Sequence, residues 1–60
     1  MKKNEAFILA AQLGIDLPKI KCADALYDKC VELGYQIAID NLTADWVILD
    51  KNGAEIARCE

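Results

Sequence analysis

Three carboxylates in the middle of the chain, those of Asp24, Asp28 and Glu32, recur at intervals of four residues. On an α-helix this spacing places them on one face, about 6 Å apart, comparable with the spacing of backbone phosphates. Two apolar side chains flank them and would anchor a partner, while the acids would steer it. The alternative is an ordinary solvated helix face. We predict that a protein partner is bound by Asp24, Tyr27, Asp28, Val31 and Glu32.

Catalytic side chains are scarce in this sequence. Histidine is absent, Thr43 is the only hydroxyl besides the two tyrosines, and the three glycines lie far apart. A nucleophilic Cys30 would need a nearby positive charge, but Asp28 and Glu32 are as close to it as Lys29 is. General acid–base chemistry, phosphate binding by a glycine-rich loop and nucleophilic catalysis all lack their usual residues. We therefore expect a protein that is not an enzyme.

The three cysteines, Cys22, Cys30 and Cys59, do not form a recognisable redox or metal motif. Their number is odd and no CxxC pair occurs, which is unlike the disulfide framework of a secreted protein. Three thiolates without histidine would still need a fourth zinc ligand. We expect reduced thiols, no metal and no cofactor.

The formal net charge of −3 bears on the kind of partner. An acidic chain lacks the basic stripe that displaces counterions from nucleic acid, and anionic membranes would repel it. A larger, basic protein partner fits better. No segment reaches the length of a membrane span, and the apolar stretch after Lys3 is too short for a signal peptide, so a cytoplasmic location is expected.

The most regular stretch of the sequence, residues 45–60, is typical of a β-hairpin. Four strand-forming residues precede the turn sequence Asp50-Lys51-Asn52-Gly53, and a second strand follows it. A three-residue loop, which we favour, pairs Ile48 with Ile56 and Trp46 with Arg58. A two-residue loop would instead pair Leu49 with Ile56 and Trp46 with Cys59, and would reverse which residues face the helices.

Two helices and one further strand precede the hairpin. We predict a first helix over residues 6–13 with Asn4 as N-cap and Gly14 as stop. The second begins between Pro18 and Ala23 and ends at Gly34, and a strand covers residues 35–40. The prediction is one α+β domain over residues 1–60, with two helices packed on one face of a three-stranded antiparallel meander (ααβββ). Its predicted core comprises Leu9, Leu13, Leu26, Leu33, Ile37, Ile39, Ile48 and Ile56.

The first helix is apolar nearly all round, which predicts a second contact surface on it. One stripe can face the domain's own core, which leaves Phe7, Ile8 and Ala11 on another face. Self-association through these three residues, most simply as a two-fold homodimer, would cover them. The alternative is that the connector over residues 15–18 folds across them within one chain.

Taken together, the residues favour a small acidic binding protein that occupies a basic or nucleic-acid-binding surface of a larger partner. In kind, this profile resembles small phage-encoded inhibitors, including anti-CRISPR and DNA-mimic proteins. The resemblance is one of size, charge and missing catalytic parts; it implies a binding role and assigns no residues. The alternative function is a self-associating structural domain in which the acidic face has no specific role.

Overall fold

Both helices end at a glycine in the left-handed conformation, as the sequence predicts. A computed structural model describes all residues, 1–60, with helices and strands at α1 Lys3–Leu13, α2 Cys22–Leu33, β1 Gln36–Ile39, β2 Trp46–Leu49 and β3 Glu55–Cys59. At Gly14 (φ 70°) and Gly34 (φ 78°) the backbone N–H groups return to carbonyls of the last helical turn. Two helices and a three-stranded antiparallel sheet of order β1-β2-β3 confirm the α+β class.

The start of α1 differs from the prediction. Lys2, rather than Asn4, is the N-cap residue, and α1 begins at Lys3. The Glu5 carboxylate accepts a hydrogen bond of 2.7 Å from the Lys2 backbone N–H, which stabilises the first turn. The prediction of Asn4 as N-cap was wrong, because the hydrogen bond from Lys2 to Glu5 lets the helix begin two residues earlier.

The two helices begin side by side. The Cys22 thiol lies 3.6 Å from the Lys3 carbonyl oxygen, so the first turn of α2 is beside the first turn of α1. The connector between them must therefore run back along α1, a distance of about 16 Å for an 11-residue helix. Ile15 and Leu17 in this connector pack against the core on the way.

The core lies between both helices and one face of the sheet. Helix residues Leu9 and Leu26 are fully buried in the same cluster as Ile48 of β2. Leu13, Ile37 and Ile56 pack against it while partly exposed, so this part of the predicted core is confirmed. The cluster is completed by small residues: Ala6, Ala10, Cys22, Cys30, Ala57 and Cys59.

Two residues of the predicted core are largely exposed. Leu33 keeps 43% of its surface accessible; it is the last residue of α2 and lies beyond the last buried residue of that helix, Cys30. Ile39 keeps 50%; it is the last residue of β1, an edge strand of the sheet. Their inclusion in the core was wrong.

Neither helix, at 11 and 12 residues, has the length and apolar character to cross a bilayer.

The β2–β3 hairpin has the expected three-residue loop but a different register. Asp50 N–H donates to the Ala54 carbonyl (2.8 Å), and Gly53 has φ 84°. Asp50 Oδ1 also accepts from Asn52 N–H (2.8 Å), which fixes the turn. Beyond the loop, Glu55 pairs with Leu49 but Ala57 pairs with Ile48, so Ile56 is an extra, bulged residue.

This bulge overturns the predicted pairs. Ile48 lies opposite Ala57 and Trp46 opposite Cys59, not opposite Ile56 and Arg58. The one-residue shift turns Ala57 and Cys59 towards the helices. It also places Glu55 and Arg58, which are three residues apart, on the same outer face, where a regular strand would separate them.

The β1–β2 loop contains a strained residue, Ala44, at φ 62°. Its N–H donates to the Asp40 carbonyl at 2.7 Å, so the loop holds it in the left-handed region. We expect Ala44→Gly to raise the free energy of unfolding by about 0.5–1 kcal/mol, because glycine has no Cβ to strain there.

Thermal melting of Ala44→Gly alongside Ala54→Gly tests this expectation. Ala54 is also exposed and near a turn, but its φ is not positive, so glycine should bring no gain there. An equal or lower melting temperature for Ala44→Gly than for the wild type would contradict the expected strain.

Candidate binding surface

The five side chains predicted to bind a partner all lie exposed on one side of α2. We call this set, Asp24, Tyr27, Asp28, Val31 and Glu32, the α2 outer face. The residues buried by α2 are Cys22, Leu26 and Cys30, which turn the opposite stripe of the helix to the core. Val31 keeps 78% of its surface accessible, and Tyr27 is also exposed. The structure therefore brings all five predicted residues together at the surface.

Two carboxylates of the α2 outer face have no partner within the chain. Asp24 and Asp28 take part in no side-chain hydrogen bond and no ion pair. Glu32 approaches Lys29 Nζ at 3.5 Å, a long contact between two exposed side chains that stabilises little. The face thus combines exposed apolar surface with unneutralised negative charge.

A second acidic cluster, on the outer face of the sheet, was missed by the sequence prediction. The Arg58 guanidinium binds Asp40 Oδ2 (2.8 Å), Asp45 Oδ2 (3.0 Å) and Glu55 Oε1 (2.7 Å), and it donates to the Thr43 hydroxyl (3.0 Å). We call these five residues the Arg58 cluster. Hydrogen bonding to Arg58 is the main reason that the pKa of Asp40 is lowered. The same carboxylates raise the pKa of Arg58 further above its already high value.

The Arg58 cluster has a structural explanation. Val47 pairs with Arg58 across the strands and points to the same outer face, yet only 5% of its surface is accessible. Both helices pack on the opposite face, so we attribute the burial of Val47 to the Arg58 stem and to the loop residues bound to its head. The sequence contains one indication of this arrangement. Arg58 is the only arginine and stands between Ala57 and Cys59, and successive side chains of a strand point to opposite faces, so Arg58 faces away from these two residues.

The three residues predicted for self-association on α1 are only partly available. Phe7 is half-buried and packs against the core, whereas Ile8 and Ala11 are exposed. Ile15 and Leu17 of the connector pack against the same core. The exposed apolar surface of α1 is therefore smaller than expected.

Ile8 borders an open groove of about 620 Å³ between α1 and the outer edge of β3. The side-chain amide of Gln12 spans this groove: Nε2 donates to the Arg58 carbonyl (2.7 Å), and Arg58 N–H donates to Oε1 (3.0 Å). The amide thereby takes the place of a neighbouring strand at that residue. The remaining lining residues are Glu55, Ile56, Ala57 and Glu60.

The three cysteines are free and buried. Burial raises the pKa of the Cys30 thiol. Burial also raises the pKa of Cys59, with smaller contributions from the negative charges of Glu5 and Asp45. Few thiolates exist at neutral pH under these conditions, which disfavours nucleophilic or redox chemistry at Cys30 and Cys59.

The fold and surface define a small acidic α+β domain with one helix face that is both apolar and negatively charged. Comparisons with protein-family models, with curated proteins and with solved structures each find no match to this chain. The roles of its residues are therefore inferred from the contacts and charges within this chain.

Proposed function

We propose that this protein is a binding module whose α2 outer face occupies a basic surface of a larger protein. The observation that carries the proposal is the exposed pair Tyr27 and Val31 beside the unpaired carboxylates of Asp24 and Asp28. A partner surface used for holding nucleic acid has the required positive charge, and blocking it would inhibit the partner, as phage-type inhibitors do. No catalytic step is part of the proposal.

The distribution of charge favours this face over the rest of the acidic surface. Asp40, Asp45 and Glu55 are already bound to Arg58, so a partner would have to break those contacts to use them. Asp24 and Asp28 can pair with incoming lysine or arginine without breaking a contact within the chain. Fully burying Val31 in the interface contributes roughly 1.5–3 kcal/mol to the free energy of binding. The apolar residues therefore provide affinity, and the acidic residues orient the approaching partner.

Charge reversal at Asp24 and Asp28 tests the proposal. The double variant Asp24→Lys/Asp28→Lys should lose partner binding at least about tenfold at low salt, because two attractive contacts become repulsive. The measurement is quantitative affinity capture from extracts of the source organism, followed by titration of the captured protein against purified variants.

Asp16→Lys is the control, matched in charge change to the single variant Asp28→Lys. Asp16 is exposed on the connector and takes part in no ion pair, so its reversal changes net charge without touching the α2 outer face. Equal weakening by Asp16→Lys would mean that only overall charge matters. Unchanged binding by the double variant would remove the α2 outer face from the proposal.

A self-associating domain is the second candidate function. Exposed Ile8 and Ala11 favour it, although the packing of Phe7 leaves them a small surface. In that case Ile8→Asp would abolish oligomers seen by light scattering, and charge reversal on α2 would leave them intact. Phe7→Asp is the poorer test, because it would also disturb the core.

A further inference from the structure

The two edges of the sheet are protected to very different degrees. β3 is one edge strand, and Gln12 already binds both outward backbone groups of Arg58. The bulge at Ile56 and the charged side chains of Glu55 and Arg58 further disfavour pairing of another strand there. β1, the other edge, has no charge, no proline and no bulge in its sequence Gln-Ile-Ala-Ile.

Hydrogen bonding within the sheet shows which groups of β1 point outward. Asp40 N–H donates to the Asp45 carbonyl (2.9 Å), so the paired residues Asp40, Ala38 and Gln36 bond inward to β2. The alternate residues Ile37 and Ile39 then direct their N–H and C=O groups away from the sheet. No side chain of the protein binds them, since the side-chain hydrogen bonds to backbone involve other residues.

We propose that the free edge of β1 pairs with the β1 edge of a second copy of this chain. The strands would run antiparallel about a two-fold axis at Ala38 and join the two sheets into one of six strands. Ile37 of each copy then exchanges N–H···O=C bonds with Ile39 of the other, which gives four backbone hydrogen bonds. This contact is separate from the α2 outer face.

Other symmetric registers use the edge less well. An axis at Ile37 would require the N–H of Tyr35, which already donates to the Cys30 carbonyl at 2.7 Å. An axis at Ile39 would bring in Asn41, which lies in the β1–β2 turn. The axis at Ala38 uses only the outward groups of Ile37 and Ile39.

The side chains and charges of β1 suit a second copy. On the helix side, Ile37 of one chain would meet Ile39 of the other, and Ile39 is half exposed in the single chain. On the outer side, two alanines would meet at the axis, where opposing Cα atoms approach to about 4.5 Å. β1 itself carries no charged side chain that could oppose a like charge, whereas β3 carries Glu55 and Arg58.

The size of this contact sets its strength. Four residues per chain bury much less than the roughly 800 Å² per partner of a standard interface, so the dimer is weak. In the wild type, we expect amide exchange at Ile37 and Ile39 to slow several-fold as concentration rises from about 10 µM to 1 mM. The amide of Leu42, in the exposed β1–β2 turn, serves as the internal reference and should not change.

A cysteine at the proposed axis tests position and register together. Ala38→Cys should form an intermolecular disulfide under mild oxidation, because about 4.5 Å between Cα atoms suits that bond. Gln36→Cys is the matched control: it lies on the same face of β1, but its counterpart would be about 13 Å away. The native cysteines are buried and do not compete.

Cross-linking of Ala38→Cys but not of Gln36→Cys, together with slower exchange at Ile37 and Ile39, is the expected result. Equal cross-linking of both variants would overturn the proposed register. Exchange at these amides that stays independent of concentration up to 1 mM would overturn the pairing itself. Dimers that persist in Ile39→Lys and vanish in Ile8→Asp would place self-association on α1 instead.

Discussion

Leu26→Ala is expected to lower the free energy of unfolding by about 2–5 kcal/mol, because its side chain is fully buried and truncation leaves a cavity. Stability of roughly 0.05–0.15 kcal/mol per residue gives a 60-residue domain only about 3–9 kcal/mol in total. This single substitution should therefore leave a large fraction of the protein unfolded at 37 °C. Urea unfolding followed by circular dichroism measures the effect.

Leu33→Ala is the matched control on the same helix. The chemical change and the change in helix propensity are the same, but 43% of Leu33 is accessible, so less apolar surface is lost. Since 57% of Leu33 is removed from water against all of Leu26, we expect its cost to be at most about 60% of that of Leu26→Ala. Equal costs for the two variants would mean that the core extends to the end of α2.

Arg58→Met is expected to have the largest effect among substitutions outside the core. Methionine keeps an apolar stem beside Val47, but three carboxylates then face one another without a cation. The fall in melting temperature at neutral pH should be several-fold larger than that of Lys29→Met, which removes only the exposed contact with Glu32. Comparable effects of the two variants would contradict a structural role for the Arg58 cluster.

The loss of stability caused by Arg58→Met depends on pH, and the sign of that dependence is defined. The pKa of Asp40 is lowered from its ordinary value near 3.8, so its pairing with Arg58 contributes stability above that pH. The contribution is lost as the pH falls through the lower pKa of the folded chain. The difference in melting temperature between wild type and Arg58→Met should therefore shrink from pH 6 to pH 3. A difference that stays constant over this range would mean that Asp40 is not part of the effect.

Local chemistry explains what the sequence predicted well. Gly14, Gly34 and the Asp50–Gly53 turn act through their own backbone conformations and nearest neighbours, so their roles can be read without the rest of the fold. The α2 outer face was equally predictable, because the spacing of its residues is that of one helix. Whether that face binds a partner stays a prediction.

The predictions failed where a feature is determined by contacts between residues that are far apart in the sequence. The bulge at Ile56 depends on how Ala57 and Cys59 fit beneath α1, which no local pattern encodes. The Arg58 cluster joins residues from two separate segments, the β1–β2 loop and β3, and the first-turn contact of Cys22 with Lys3 sends the connector back over the core. Phe7 was placed on a free surface because helix periodicity alone does not show how far the core extends around α1.

The pairing of Gln12 with Arg58 also has a consequence for the order in which the chain folds. These residues are 46 positions apart, and the buried side of α1 packs on Ala57 and Cys59, which are synthesised after both helices and the other two strands. Because closing so long a loop precedes any gain from the contact, docking of α1 is a late and slow step. During translation α2 can cover part of α1 early, but the side of α1 that packs on β3 stays exposed until β3 has emerged, and in that interval a chaperone can bind it.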